Sequence, residues 1–131
     1  MAMKLFDNIF ASAYRYNAKR YEHKRSVFRS IMIVEVHVFG LLLLMVAIVK
    51  KAFNLNFYIS NRNTHLGLDG AYLLVFLFVM FIFIRYFSEN KIENILNAFG
   101  MYKASTRRAW GIFTIAAIIL EYVTMAFLLA K

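Results

Sequence analysis

The sequence contains no cysteine and no proline, only 5 glycines, and only 7 acidic residues against 16 Lys and Arg. Each shortage excludes something. Without cysteine there is no disulfide framework of the kind that holds small secreted domains, and no thiolate to ligate zinc or an iron–sulfur cluster. Without proline, nothing marks the broken membrane helices on which secondary transporters build their binding sites. The H-E-x-x-H, G-x-S-x-G and glycine-rich phosphate-loop patterns are also missing, and with them the common signatures of metallopeptidases, serine hydrolases and nucleotide enzymes. His23, His37 and His65 fall at three separate levels of the chain, so no histidine pair is set up to ligate haem. These readings predict a non-catalytic protein with no cofactor and no metal.

Apolar residues are what the chain has in plenty: 62% of its 131 residues, with aromatics alone at 18%. Soluble globular chains run near 45–50% or so, and a fold this small cannot hide such a surplus from water. Disordered chains are poor in the same residues. The composition therefore predicts an all-α integral membrane protein, a single membrane domain over residues 1–131.

Three apolar stretches reach spanning length: residues 31–49, 68–87 and 109–130. A hydrocarbon core of about 30 Å takes roughly 20 helical residues. Runs such as Leu41-Leu42-Leu43-Leu44 lack the alternation of barrel strands. Residues 50–67, rich in Asn, Ser, Thr and Gly, read as an outer loop, and residues 88–108 as a cytoplasmic connection. Orientation follows from the cations, because cytoplasmic segments retain Lys and Arg. Lys4, Arg15, Lys19, Arg20, Lys24, Arg25 and Arg29 precede the first span, and Arg85, Lys91, Lys103, Arg107 and Arg108 surround the second connection. Only Lys50, Lys51, Arg62 and Lys131 fall on the other side. The expected protein is multi-pass, of the bacterial inner-membrane type, with its N-terminus cytoplasmic and its C-terminus outside.

The segments flanking the spans are patterned too. In residues 1–29, Phe6, Ile9, Phe10, Ala13, Tyr14 and Asn17 share a helical face, followed by Lys19-Arg20 and Lys24-Arg25. This predicts an amphipathic helix in the membrane interface, with Lys19, Arg20, Lys24 and Arg25 at anionic lipid headgroups. Sorting of positive charge to the cytoplasmic side explains these cations without nucleic acid, which is not expected as a partner. Ile92, Ile95, Leu96 and Phe99 form a second short stripe ending at Gly100, and predict a short interfacial helix between the second and third spans.

Polar groups at membrane depth are costly, so each one calls for a role. On the third span, Gly111, Thr114, Ala117, Glu121 and Thr124 form a stripe at spacings of three and four. His37, Gly40 and Ala47 form a weaker stripe on the first. Small residues let helices approach closely and hydroxyls can bond across the contact, so the stripes are expected to dock together or to line a pore. Counting from the apolar boundaries puts His37 about 9 Å inside and Glu121 about 9 Å deeper, so these two need not touch. Glu35 and Arg85 share a depth near the inner surface and are expected to form an ion pair.

These observations predict a small accessory, immunity-type or structural subunit acting by helix packing. Its partners would be the bilayer and another membrane protein, or copies of itself. The alternative is a self-assembling pore or membrane-disrupting effector with Glu121 and His37 near the lumen.

Overall fold

Long unbroken apolar runs with no proline favour helices, because in hydrocarbon every backbone N–H and C=O must be satisfied within the segment. The computed structural model describes residues 2–53 and 65–130, and among them the chain forms five helices. These are α1 (Ala2–Ala18), α2 (His23–Ala52), α3 (His65–Tyr86), α4 (Glu89–Gly100) and α5 (Ala104–Leu129). Helices α2 and α5 are each long and apolar enough to cross a membrane. Residues Leu73–Tyr86 of α3 and the whole of α4 reach that standard together, with a bend of 75° between them. The described chain therefore carries two to three candidate spans. Most of the outer-loop segment lies outside the described residues.

Side-chain pairings set the helix directions. Tyr14 on α1 shares a 2.7 Å hydrogen bond with His23, so α1 folds back against α2 as an antiparallel hairpin. Phe39 of α2 meets Phe76 of α3 edge to face at 5.8 Å. Phe6 and Phe10 of α1 lie against Phe83 and Phe87 at the far end of α3, with centroids 5.9 and 4.4 Å apart. His37 and Gly40 of α2 lie beside Thr114 and Glu121 of α5 in that order, so α2 and α5 run in the same direction.

The best-packed region is the end where α1, α4 and the cation-rich ends of α2 and α3 converge. Its core joins Ile9, Phe10 and Ala11 of α1, Ile31 and Val34 of α2, Phe87, and Ile92, Ile95 and Phe99 of α4. The apolar stripes of α1 and α4 are thus buried in protein. This corrects the picture of α1 as a helix whose apolar face meets acyl chains. A short turn ties α1 to α2, and its stripe is covered by neighbouring helices of the same chain. Toward the other end the helices present bare aliphatic and aromatic faces, including Met45, Ile48, Leu74, Phe78, Ile119, Val123 and Phe127.

Helix α4 ends at Gly100 with Met101 in right-handed helical conformation. The Gly100 carbonyl is capped by Arg107, whose guanidinium donates to it at 2.8 Å. No left-handed residue is needed there, because the arginine satisfies one of the orphan carbonyls of the helix end.

Candidate functional site

Helix α2 carries a buried seam, Ser26, Ser30, Val34, His37 and Gly40 at spacings of three and four, with Ala47 two turns further on. The upstream part was missed by the sequence reading, which began the stripe at His37. The same spacing continued backward from His37 would have found Ser30 and Ser26. Both hydroxyls bond backbone carbonyls nearby, Ser30 to Ser26 at 2.6 Å and Ser26 to Tyr21 at 3.1 Å.

Opposite lies the α5 stripe. Thr114 and Glu121 are buried, and Gly111, Ala117 and Thr124 are half-buried. The two faces meet at His37, which is 2% exposed. One ring nitrogen, Nε2, lies 3.0 Å from the Thr114 carbonyl oxygen, and the other, Nδ1, lies 3.1 Å from Oε1 of Glu121. The depth estimate that kept these residues apart is therefore corrected. It levelled Ile31 with Ala109, whereas the observed stagger sets His37 between Thr114 and Glu121. A helical side chain also leans toward the N-terminus of its own helix, which brings the Glu121 carboxyl back by about a turn.

The hydrogen-bond directions determine how many protons the pair holds. A carbonyl oxygen can only accept, so Nε2 carries a hydrogen and donates it to Thr114. The bond between Nδ1 and Oε1 then needs one more proton, on either partner. Both arrangements, neutral imidazole with carboxylic acid or imidazolium with carboxylate, carry no net charge. A unit of zero net charge is what a low-dielectric seam tolerates, since an isolated buried ion is far costlier.

The surroundings fit closely around this pair. A Cβ built on Gly40 would lie 2.8 Å from Oε2 of Glu121 and 3.1 Å from the Tyr122 ring. Glycine at 40 is what lets the carboxyl reach the histidine. Tyr122 in turn donates its hydroxyl to the Val36 carbonyl at 3.2 Å, a second bond between the helices. The Thr114 hydroxyl does not cross the seam as the sequence reading supposed. It donates to Trp110 one turn back at 2.8 Å, and the residue contributes its carbonyl instead.

The Glu35–Arg85 ion pair does not form. Glu35 is 1% exposed and neither carboxyl oxygen has a hydrogen-bond partner among the described residues. Arg85 is exposed and lies over the ring of Phe81 at 5.4 Å. The reason is azimuth. Phe76, Val79, Met80, Phe83 and Tyr86 form the inward seam of α3, whereas Leu74, Phe78, Phe81 and Arg85 form the outward one. Equal depth said nothing about which way the two side chains face.

The remaining predicted positions can be placed in the same way. Lys19, Arg20, Lys24 and Arg25 are exposed at the α1–α2 turn. The side chain of His65 lies outside the described residues. One further contact had no clear signal in the sequence: Tyr86 donates to Asp7 at 3.0 Å. Asn17, on the apolar face of α1, is buried with its amide nitrogen unpartnered among the described residues. No three His, Asp or Glu side chains among the described residues gather as a metal site would require.

With helices, seam and charges in place, the described residues form an all-helical chain with two to three helices apolar enough to cross a membrane and a buried polar pair between two of its helices. Comparisons with protein-family models, with curated proteins and with solved structures find no match to this chain.

Proposed function

We propose that this is a three-span membrane protein that acts without catalysis, as an accessory, immunity-type or structural subunit of a membrane complex. Support for three spans comes from direction. Helices α2 and α5 lie side by side and run the same way, so if both cross the bilayer the chain between them must cross back. Helix α3, antiparallel to α2, is the segment that does so. The distribution of Lys and Arg supports placing the α1–α2 turn and α4 in the cytoplasm.

The observation that carries the subunit reading is how the polar and apolar groups are distributed. His37 and Tyr122 in the α2–α5 seam bond inside the chain, His37 to Glu121 and to the Thr114 carbonyl and Tyr122 to the Val36 carbonyl. The outward faces of α3 and α5 offer Leu74, Phe78, Phe81, Ile112, Ile115, Ile119 and Val123. An apolar surface of this kind recognises by shape and close packing. The pore reading draws no support from this geometry, because lining a lumen with His37 and Glu121 would require pulling α2 from α5.

Photo-crosslinking in native membranes tests the proposal. A photoreactive residue at Phe78 or Ile119 should capture one defined membrane protein, whereas the same residue at buried Val34 should not. Gentle extraction should then return a complex containing both chains. A homogeneous homo-oligomer, with crosslinks only between copies of this chain, would overturn the subunit reading.

A further inference from the structure

The turn between α1 and α2 concentrates charge of one sign. Arg15, Lys19, Arg20, Lys24, Arg25 and Arg29 are all exposed, and Glu22 is the one acid in that stretch. None of the six cations is in an ion pair, since the one such contact among the described residues is His37 with Glu121. A cluster of this density left without internal counter-charges repels itself, and is relieved by an external anion.

Its position narrows the anion. The apolar stretch of α2 begins at Ile31, so the cations in the first turns of α2 lie within about 10 Å of it along the axis. That is about one Debye length in physiological salt, the range over which a charged membrane surface still attracts. Two guanidinium groups are held on aromatic faces. Arg29 lies over the Tyr21 ring at 4.0 Å and Arg20 over Tyr16 at 5.2 Å. A guanidinium held over a ring by its carbon can still offer N–H groups outward, and their fork matches the paired oxygens of a phosphate. Tyr16 and Phe28 stand exposed at the same end, as aromatic residues do at the level of lipid headgroups.

We propose that the α1–α2 turn is a recognition surface for anionic phospholipid headgroups, with Arg20 and Arg29 presenting tyrosine-backed planes to the lipid phosphate. The surface enriches anionic lipid around the protein and holds the packed α1–α4 end against the membrane. This inference goes beyond the subunit reading and needs only that the helices sit in a bilayer. Its failure would leave the subunit reading standing.

Trp110 is the chain's one tryptophan and lies half-buried near the start of α5, which makes it a built-in reporter. The full chain is reconstituted into phosphatidylcholine vesicles containing an equal small fraction of brominated phosphatidylglycerol or of brominated phosphatidylcholine. Tryptophan quenching then reads which lipid lies alongside. The anionic lipid should be enriched at least about fivefold, the factor one cation supplies at such a surface. Raising the salt should abolish the enrichment, and so should replacing Lys19, Arg20, Lys24, Arg25 and Arg29 together by Gln. The salt series on the unaltered protein gives the answer even if the variant fails to insert. Equal quenching by the two lipids would overturn the proposal, as would enrichment that survives high salt. Loss of enrichment on adding inorganic phosphate, but not chloride at matched ionic strength, would also overturn it by identifying a free-phosphate site.

Discussion

At the scale of single residues, the seam between α2 and α5 depends on one proton and one missing side chain. Gln at position 121 can donate its amide hydrogen to Nδ1 of His37 while Nε2 still donates to Thr114, so every bond of the site has a replacement. Glu121→Gln should therefore leave thermal stability in detergent nearly unchanged. Leucine at 121 cannot bond, which strands a buried imidazole nitrogen at a cost of about 1–3 kcal/mol. Equal stability of the Gln and Leu variants would refute the shared-proton pair. Gly40 is the other dependence. Alanine there would put a methyl group 2.8 Å from the Glu121 carboxyl. The carboxyl is held by His37, so the strain falls on the seam. Gly40→Ala should destabilise by about 1–3 kcal/mol, the usual range for overpacking, and this should shrink in the Glu121→Ala background. A penalty that stays the same in both backgrounds would place the strain elsewhere.

Among the elements, helix order and helix type were legible from the sequence because they rest on period and charge, both of which are local. The stripe Phe6, Ile9, Phe10, Ala13 marked α1, Ile92 to Phe99 marked α4, and the apolar runs marked α2, α3 and α5. What covers each stripe was not legible, because a helical wheel shows that a face is apolar without showing its neighbour. Arg85 and Glu35 failed for the same reason, since matching depth along two helices leaves their rotation free. His37 and Glu121 failed through stagger, which apolar boundaries define only to within a few residues. The consequence for α1 is testable. Phe10 is fully buried and stacked on Phe87, so α1 is an integral part of the fold. Phe10→Ala should cost about 3–5 kcal/mol, as truncating a buried aromatic does. Proteolysis of the N-terminal segment should speed up accordingly. A change below about 0.5 kcal/mol, typical of exposed positions, would instead make α1 a loosely attached surface helix.

For the whole molecule, the packed core and most of the cations among the described residues occupy the same end, while toward the other end the described helices bare apolar faces above Lys50 and Lys51. Water-facing protein needs its own core, whereas helices in lipid can leave their outer faces bare because acyl chains solvate them as well as protein does. The asymmetry therefore predicts depth, and the sorting of Lys and Arg predicts orientation. The proposed topology puts the α1–α2 turn and α4 in the cytoplasm, and the start of α3 and the end of α5 on the far side. Because the chain has no cysteine, a single introduced thiol reports one position without background. Arg15→Cys and Lys103→Cys should react with a membrane-impermeant maleimide only from the cytoplasmic face of sealed vesicles, and His65→Cys and Lys131→Cys only from the opposite face. The pair Lys103 and His65 is decisive, since α3 and α4 lie between them in the chain. If both react from one face, α3 does not cross and α2 and α5 cannot both span in the same direction. The three-span arrangement would then fall even though every helix remained where it is.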